Sequence, residues 1–405
     1  MTTTPAESSS TSGADADAPF GFSERLPVLR ERLRRFIDDE VIPVERPALA
    51  HDLDAIEVVA ADLREKAKAA GVYAPQLPPA WGGLGLSWRD RSAFLEEAGR
   101  SFLGPLALNC APPDQPNMIN LLALGTAAQH ERYLAPLAAG SVRSCFAMTE
   151  PEPGAGSDPS MLATRARRDG DGWVLDGHKW FISGAVGAGE HQRESRADEG
   201  ATIFIVDAGT PGYDVVRAIP GIDGCQIGGH GEIKLRGCRI PLDAVLGEPG
   251  RGFDYAQARL EPARLSHCMR FIGRASRALA IAKDYVTRRH SFGRPLADWQ
   301  QIQAMVADSQ IDLHAARLMT WHAAALLDAG RSVKTESAMT KVFVSEAVCR
   351  VADRAAQMMG ALGMSDDTIV AQIVSELRPF RIYDGASELH RATLGRRLLA
   401  TRSAR

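Results

Sequence analysis

Apolar positions in the first third of the chain recur at helical spacing. Phe22, Leu26, Leu29, Leu33, Phe36 and Ile37 fall three and four apart, which predicts an amphipathic helix that Pro43 ends. Ser87, with Asp90 three residues on, resembles a capping box opening a helix that runs through Phe102, and shorter helices are expected at residues 118–124 and 127–137. From about Ser141 the period changes. Residues 173–175, 202–206, 213–216 and 232–236 alternate or run apolar between Gly, Pro and Asp, as strands do. The charged piece 189–200 reads as a solvated hairpin loop. After Gly252 helical spacing returns: Leu265, Cys268, Ile272, Ala275, Leu279, Ala282 and Val286 form the narrow stripe of a bundle helix. The expected class is α+β, with a disordered tail at 1–20, a helical domain at 21–140, a middle β domain at 141–248 and a helical bundle at 249–405.

The chain has 405 residues, 45% of them apolar and 24% charged, with net charge −3. That suffices for two or three packed domains and carries no basic excess for nucleic acid. No apolar run approaches the ~20 residues of a membrane helix. The first nineteen residues are rich in Ser, Thr and Ala with acidic residues, and read as a disordered tail rather than a signal or transit peptide. The six cysteines contain no CxxC pair and the ten histidines no pairing at metal spacing. The cysteines read as small buried groups of a reducing compartment, so no metal and a cytoplasmic place are expected.

Candidate chemistry begins with SCFAMTEPEPGAGSD at residues 144–158. The Thr-Glu-Pro turn and Gly-Ala-Gly-Ser-Asp loop offer a hydroxyl, free backbone N–H groups and little bulk, so the loop can approach a flat ring closely. Alone, such punctuation is a turn. It is accompanied by LPPAWGGLGLS at 77–87, GHKWFISG at 177–184, TRRHSFGRPL at 287–296 and RIYDGASELHR at 381–391. In this order the five segments resemble the acyl-CoA dehydrogenase family, over roughly residues 22–399.

The resemblance implies an N-terminal helical domain, a middle β-barrel and a C-terminal four-helix bundle. It also implies FAD, an acyl-CoA substrate, an electron-transfer flavoprotein as acceptor, a homo-oligomer built as a dimer of dimers, and a place in fatty-acid β-oxidation. Dehydrogenation between the α and β carbons of a thioester needs a base for the α proton, a hydride acceptor, and donors to the thioester oxygen. No side chain accepts a hydride, so a flavin is required. No GxGxxG follows a strand, and the glycines at 221–231 read as a β connection.

By resemblance, Phe146 and Ser157 belong to the flavin site, Met148 and Thr149 contact the pyrimidine edge, and Phe181 and Ser183 lie along the ring. Many relatives have Trp and Thr at the last two positions. On the residues alone, Trp180 and Phe181 could be a barrel-core pair. Arg289, Ser291 and Phe292 match an Arg-x-Thr-Phe pattern that reaches a neighbouring subunit's FAD, a guanidinium suiting pyrophosphate. Arg288 and Arg289 could instead be a solvated basic pair. Gln357 and Gly360 match a Gln-x-x-Gly turn at the cofactor, and Gln300, Ala386 and Glu388 are further cofactor candidates.

For the base, relatives usually read Tyr-Glu-Gly-Thr where this chain has Tyr383-Asp384-Gly385-Ala386, so Asp384 takes the carboxylate position. The alternative family position falls on Ala263, which has no carboxylate. Glu261 and Arg264 correspond to groups holding the CoA portion, with Ser157 and Gly385 also at the substrate, and Glu261 is the alternative base. A plain N-cap for a helix starting at Ser387 is the other reading of Asp384. Aspartate is shorter than glutamate by on the order of 1.5 Å. A family branch with this Asp and with sequences close to LEPARLSHCMR (260–270) and NCAPPDQPN (109–117) includes enzymes for long and unusual acyl-CoAs. Ala386 lacks the usual threonine hydroxyl, and an extra Glu152-Pro153 pair shifts the alignment at Ser157. Competing readings are a nitroalkane-type flavin oxidase, which also uses an aspartate, and a non-catalytic acyl-CoA-binding flavoprotein.

Overall fold

The structure, a computed structural model, describes residues 20–49, 53–186, 190–197, 200–223 and 229–400. The expected tail therefore lies outside the described residues except for Phe20, whose ring packs 4.8 Å from that of Trp321. Leu26, Leu33 and Phe36 bury one face of α1 (Leu26–Phe36), as their spacing requires. Pro43 does not end the run. A π turn at Ile37–Val41 hands the ladder on through the Ile42 N–H to the Ile37 carbonyl, and α2 (Ile42–Leu49) carries Pro43 in its first turn, where a missing amide proton is tolerated.

The helices α3 (Leu53–Ala69), α4 (Trp88–Ala98), α5 (Gly104–Ala107), α6 (Asp114–Leu124), α7 (Ala127–Gln129) and α8 (Ala135–Ala139) complete the first region. Ser87 caps α4 by accepting the Asp90 N–H at 3.1 Å. The Asp90 carboxylate turns instead to the backbone and hydroxyl of Ser23, fastening the start of the chain to α4 rather than closing the expected box.

Seven strands form one sheet: β1 (Ser144–Ala147), β2 (Arg165–Asp169), β3 (Gly172–Ser183), β4 (Glu190–Ala197), β5 (Gly200–Asp207), β6 (Tyr213–Ala218) and β7 (His230–Pro241). Their order is β1-β4-β2-β3-β7-β6, with β5 on β4. The segment expected as a solvated loop is β4. It pairs with β5 from Glu190 opposite Asp207 to Ala197 opposite Gly200, and runs parallel to β1. A ladder needs only main-chain groups, and this charged sequence offers no apolar alternation to read. Among the described residues no ladder joins β6 back to β5, and no closed barrel is formed. The buried face of the sheet is lined by Cys145, Leu175, Phe204, Ile233, Leu235 and Ile240.

The last region is built on α9 (Gly252–Arg288), a helix of 37 residues. A two-residue-stranded hairpin, β8 (His290–Ser291) and β9 (Arg294–Pro295), precedes α10 (Gln300–Asp328) and α11 (Lys334–Met359), and the shorter α12 (Val370–Leu377) and α13 (Ser387–Ala400) pack along α11. The predicted stripe on α9 is buried throughout. Among the described residues no helix is long and apolar enough to cross a membrane.

The first and last regions meet where α4 crosses α9. A Cβ on Gly99 would stand 2.0 Å from the Arg270 carbonyl oxygen, and one on Gly273 would stand 1.9 Å from that of Glu96, so only glycine allows this approach. Arg274 then reaches the end of α4, donating to the Gly99 and Ser101 carbonyls at 2.8 and 2.9 Å, with its guanidinium 3.7 Å from the centre of the Phe102 ring. Such carbonyls lack helical partners, so the cation meets both a hydrogen-bond need and the dipole. Beside it, fully buried Glu45 accepts from Arg277, the Ser101 hydroxyl and the Phe102 N–H.

Glu45→Ala is expected to strand Arg277 and to cost about 3–5 kcal/mol, measured as a lower denaturation midpoint. Glu45→Gln, which keeps an acceptor, should lose less. Equal midpoints for parent and alanine variant would show that the pair does not hold this junction.

Candidate active site

The loop after β1 is fixed from below. Glu150 is buried and gathers the N–H groups of Ala155, Ala163 and Thr164 at 3.2, 2.6 and 2.9 Å, as well as the Thr164 hydroxyl. Lys179 from β3 donates to Glu150 at 2.8 Å and to the Met148 carbonyl at 3.0 Å. The Thr149 carbonyl accepts from Trp180 at 3.1 Å. Gly154 is required, because a Cβ there would lie 2.3 Å from Glu150 Oε2. Ser157 is exposed further along the loop. Burial pushes the Glu150 carboxyl up, but the Lys179 charge and the hydrogen bonds outweigh it and hold the group at about 2.

Across from this loop the β3–β7 register shifts between Lys179 and Ile182, at a bulge where Phe181 takes φ 51° and stays 50% exposed. Trp180 packs beside it, with ring centres 5.0 Å apart. An exposed aromatic held in the left-handed region is not a core residue. Two residues on, the Ser183 hydroxyl lies 3.0 Å from His230 Nδ1, and His230 Nε2 lies 3.0 Å from Asp223.

The sheet is tied to α9 through Phe146, whose ring lies 4.1 Å beneath the Arg259 guanidinium. Arg259 also donates to Asn117 on α6 at 3.1 and 2.9 Å, and Asn117 donates to Ser144 at 2.9 Å.

Further along α9 lies the Asp384 loop. Asp384 has φ 53° and Gly385 φ 94°. The Asp384 carbonyl accepts from Arg264 Nε at 2.7 Å and from His390 Nε2 at 3.1 Å, and the Gly385 carbonyl accepts from Lys341 on α11 at 2.6 Å. Both carbonyls are thus engaged while Asp384 Oδ2, buried, has no hydrogen-bond partner. His267 Nε2 stands 3.4 Å from it. Arg270 lies 3.1 Å from His267 Nδ1 and can only donate, so Nδ1 accepts and the ring proton sits on Nε2, facing the carboxylate.

Burial, reinforced by the Arg270 charge, lowers His267 to about 3, leaving the imidazole neutral. Burial lowers Lys341 to about 8 against the opposing pull of Asp384. The phenol of Tyr383 is pushed well above its usual value by burial and then by Asp384 and Glu376. His267, Phe271, Phe380 and Tyr383 form the aromatic wall behind the loop, with ring centres 4.9–5.8 Å apart. Asp384 is therefore no solvent-facing cap.

Glu261 and Arg264 share this end of α9, where the Glu261 carbonyl accepts from Ser337 on α11 at 3.2 Å. Ala386 accepts the His390 N–H through its carbonyl, and Glu388 is exposed on α13. The remaining candidates lie elsewhere. Arg289 follows the last residue of α9, which is 24 residues beyond Arg264, roughly 36 Å at a rise of 1.5 Å per residue. It is exposed beside Ser291 and Phe292, which is 91% exposed at the hairpin tip with φ 52°. Gln300 and Gln357 are also exposed, and Gly360 ends α11 with φ 61° and ψ −138°.

Sequence reasoning missed Glu150, Lys179, His230, His267, Arg270 and Lys341. Lys179 is a lone lysine inside a quoted motif, Glu150 one of three acidic residues in another, and His267 with Arg270 has the (i, i+3) spacing of helix neighbours.

Three domain families match the chain: acyl-CoA dehydrogenase N-terminal domain at residues 23–141, middle domain at 145–238 and C-terminal domain at 250–399. FadE2 of Mycobacterium tuberculosis, named as a probable acyl-CoA dehydrogenase, is 36% identical over 93% of this chain and 96% of its own length. Mouse acyl-CoA dehydrogenase family member 10 is 35% identical over 95% of this chain, which spans only 38% of that protein. Among solved structures, butyryl-CoA dehydrogenase from Megasphaera elsdenii matches with TM-score 0.83 and 25% identity, over 94% of this chain and 99% of that one. The chain belongs to the acyl-CoA dehydrogenase family. It is an oxidoreductase of that class.

Glu150 also sets a pH dependence. Its folded value lies below the ordinary 4.5, so its stabilisation, on the order of 3 kcal/mol, is complete above that pH and is lost as the pH falls towards 2. An acid titration followed by tryptophan fluorescence should show this loss in the parent. Glu150→Gln should be weaker at neutral pH and should lack that part of the transition.

Proposed function

We propose that this chain dehydrogenates an acyl-CoA between its α and β carbons, with Asp384 removing the α proton. The observation that carries this reading is the contrast within one loop. The Asp384 and Gly385 carbonyls are taken by Arg264, His390 and Lys341, while the buried carboxylate oxygen is left without a hydrogen-bond partner. A structural aspartate would be satisfied through its side chain; this one is held through its backbone.

The cofactor is FAD. The residues fit it: Met148 and Thr149 are held by Lys179 and Trp180, and the bulge presents the Phe181 ring and the Ser183 hydroxyl. Phe146, Met148, Thr149, Ser157, Phe181 and Ser183 would hold the ring portion, with Ala386 and Glu388 further contacts. When bound, the flavin supplies the hydride acceptor.

The protein's part is acid–base and positional. The His267 N–H faces the Asp384 carboxylate, and Arg264, His390 and Lys341 hold its loop, so the group that would take the proton is fixed in place. Glu261, Arg264, Ser157 and Gly385 would take the thioester and CoA portions. The Asp-containing loop, with LEPARLSHCMR, inclines the reading to long or unusual acyl chains. An electron-transfer flavoprotein as acceptor, a cytoplasmic place and a role in fatty-acid β-oxidation belong to the same proposal.

Arg289, just past the end of α9, stands too far off to serve a ring beside its own chain's Asp384. It, Ser291, Phe292, Gln300, Gln357 and Gly360 are assigned to a neighbouring chain's FAD in a homo-oligomer, a dimer of dimers. Arg289→Ala should weaken FAD retention several-fold and lower the assembly state in sizing experiments. A monomer with full FAD occupancy would contradict the assignment.

Asp384→Asn should keep FAD and bind acyl-CoA while the anaerobic rate of flavin bleaching falls by about 10²–10⁴-fold. A loss of only about twofold would transfer the role to Glu261. Nitroalkanes serve as the control series: bleaching by them and not by any thioester would replace the dehydrogenase with an oxidase.

A further inference from the structure

Ser183, His230 and Asp223 form a continuous hydrogen-bonded chain that the reaction as described does not use. Ser183 ends β3, His230 opens β7 opposite it in register, and Asp223 lies in the connection between β6 and β7. Both links are 3.0 Å. For an uncharged imidazole the two contacts set a direction. An ionised carboxylate only accepts, so His230 Nε2 carries a proton towards Asp223; in the uncharged imidazole Nδ1 is then bare, and the Ser183 hydroxyl must donate to it. The hydroxyl proton is committed to His230, and Ser183 offers only lone pairs on its other side. The backbone of His230 is tied down, its carbonyl accepting from the Ile219 N–H at 2.6 Å, and Gly221 leaves room for the Asp223 carboxylate, whose Oδ1 would stand 2.5 Å from a Cβ there. The Asp223 charge also reaches the base loop, adding to the upward push on the Tyr383 phenol.

We propose that His230 and Asp223 are positioning residues that make Ser183 a hydrogen-bond acceptor towards the flavin and thereby favour the reduced ring. This rests on the reading that Ser183 lies along the ring. The oxidised ring has a bare nitrogen at the hydride-accepting position, which a donor would stabilise. Hydride transfer delivers two electrons and a hydrogen there, and the resulting N–H is stabilised by an acceptor. A hydroxyl free to turn would serve both states; one whose proton is held by His230 serves the reduced state.

The test is the midpoint potential of the FAD-loaded full-length protein, measured by spectroelectrochemistry without substrate. His230→Phe removes the acceptor and frees the hydroxyl. Asp223→Asn replaces the accept-only carboxylate with an amide that can also donate to Nε2, so the ring proton is no longer held there and the hydroxyl is released; it keeps the side chain's size and carries the test if His230→Phe does not fold. Each should lower the potential by about 30 mV, which for a two-electron couple is about tenfold in the reduced-to-oxidised ratio. In a Ser183→Ala background neither should add a further shift, because the effect passes through that hydroxyl. An unchanged potential in both variants, or a shift that persists without the hydroxyl, would overturn the relay. If Ser183→Ala itself moves nothing while Asp384→Asn still abolishes bleaching, the relay fails and the dehydrogenase reading stands. A protein that takes up no FAD removes both.

Discussion

Burying arginine is the constraint on which this molecule is organised, and α9 bears most of it. Arg259, Arg270 and Arg274 are buried, with Arg264 and Arg277 partly so. A guanidinium out of water must have its donors met, and on α9 each finds its acceptors on a different element. Arg259 takes Asn117, Arg264 the Asp384 carbonyl, Arg270 the Cys110 carbonyl, Arg274 the end of α4, and Arg277 Glu45. A shift of this helix would strand several at once. One helix therefore fixes the helical region, the sheet and the Asp384 loop relative to one another, and the paired glycines at the α4 crossing set the distance at which it does so.

The same economy recurs on both sides of the proposed site. Beneath the sheet, Lys179 and Glu150 occupy main-chain groups of the loop after β1; on the helical side, Arg264, His390 and Lys341 occupy those of the Asp384 loop. In each case the backbone is immobilised and a neighbouring side chain is presented. Five non-glycine residues among those described have positive φ, and Phe181, Phe292 and Asp384 are three of them. All three lie in the motifs that carry chemistry. Backbone conformations of this kind persist where surrounding contacts over-determine them, and here those contacts are the bulge, the two-residue hairpin turn and the cationic ring of donors.

Much of this was legible in the sequence because the packing of long helices obeys a simple period. The stripe from Leu265 to Val286 is buried residue for residue, and the strand segments at 202–206 and 232–236 fall inside β5 and β7. The readings that failed share a cause, which is that backbone hydrogen bonding leaves no hydrophobic signature. The charged β4 pairs through its main chain, and the π turn at 37–41 carries the first helix past Pro43. The site was legible as motifs, not as contacts. Asp384, Phe181 and Ser183 were identifiable from their segments, but His267 and His230 look like isolated histidines until Arg270 and Asp223 are brought beside them. Chain proximity conveys the first pairing faintly and the second not at all.

The loop conformation at Asp384 bears on the proposal that an aspartate here takes the place of a glutamate. Short polar residues such as aspartate enter the left-handed region several-fold more readily than longer side chains. A glutamate at 384 would extend the carboxylate by one methylene, yet it would have to inhabit φ 53° with a side chain less suited to it, on a loop whose two carbonyls are held by three cationic or imidazole donors and cannot easily relax. Reach and torsion are thus traded against each other at a single position, and the identity of the acid is coupled to the path of the chain that carries it. Interconverting the two acids is a change of loop geometry before it is a change of chemistry.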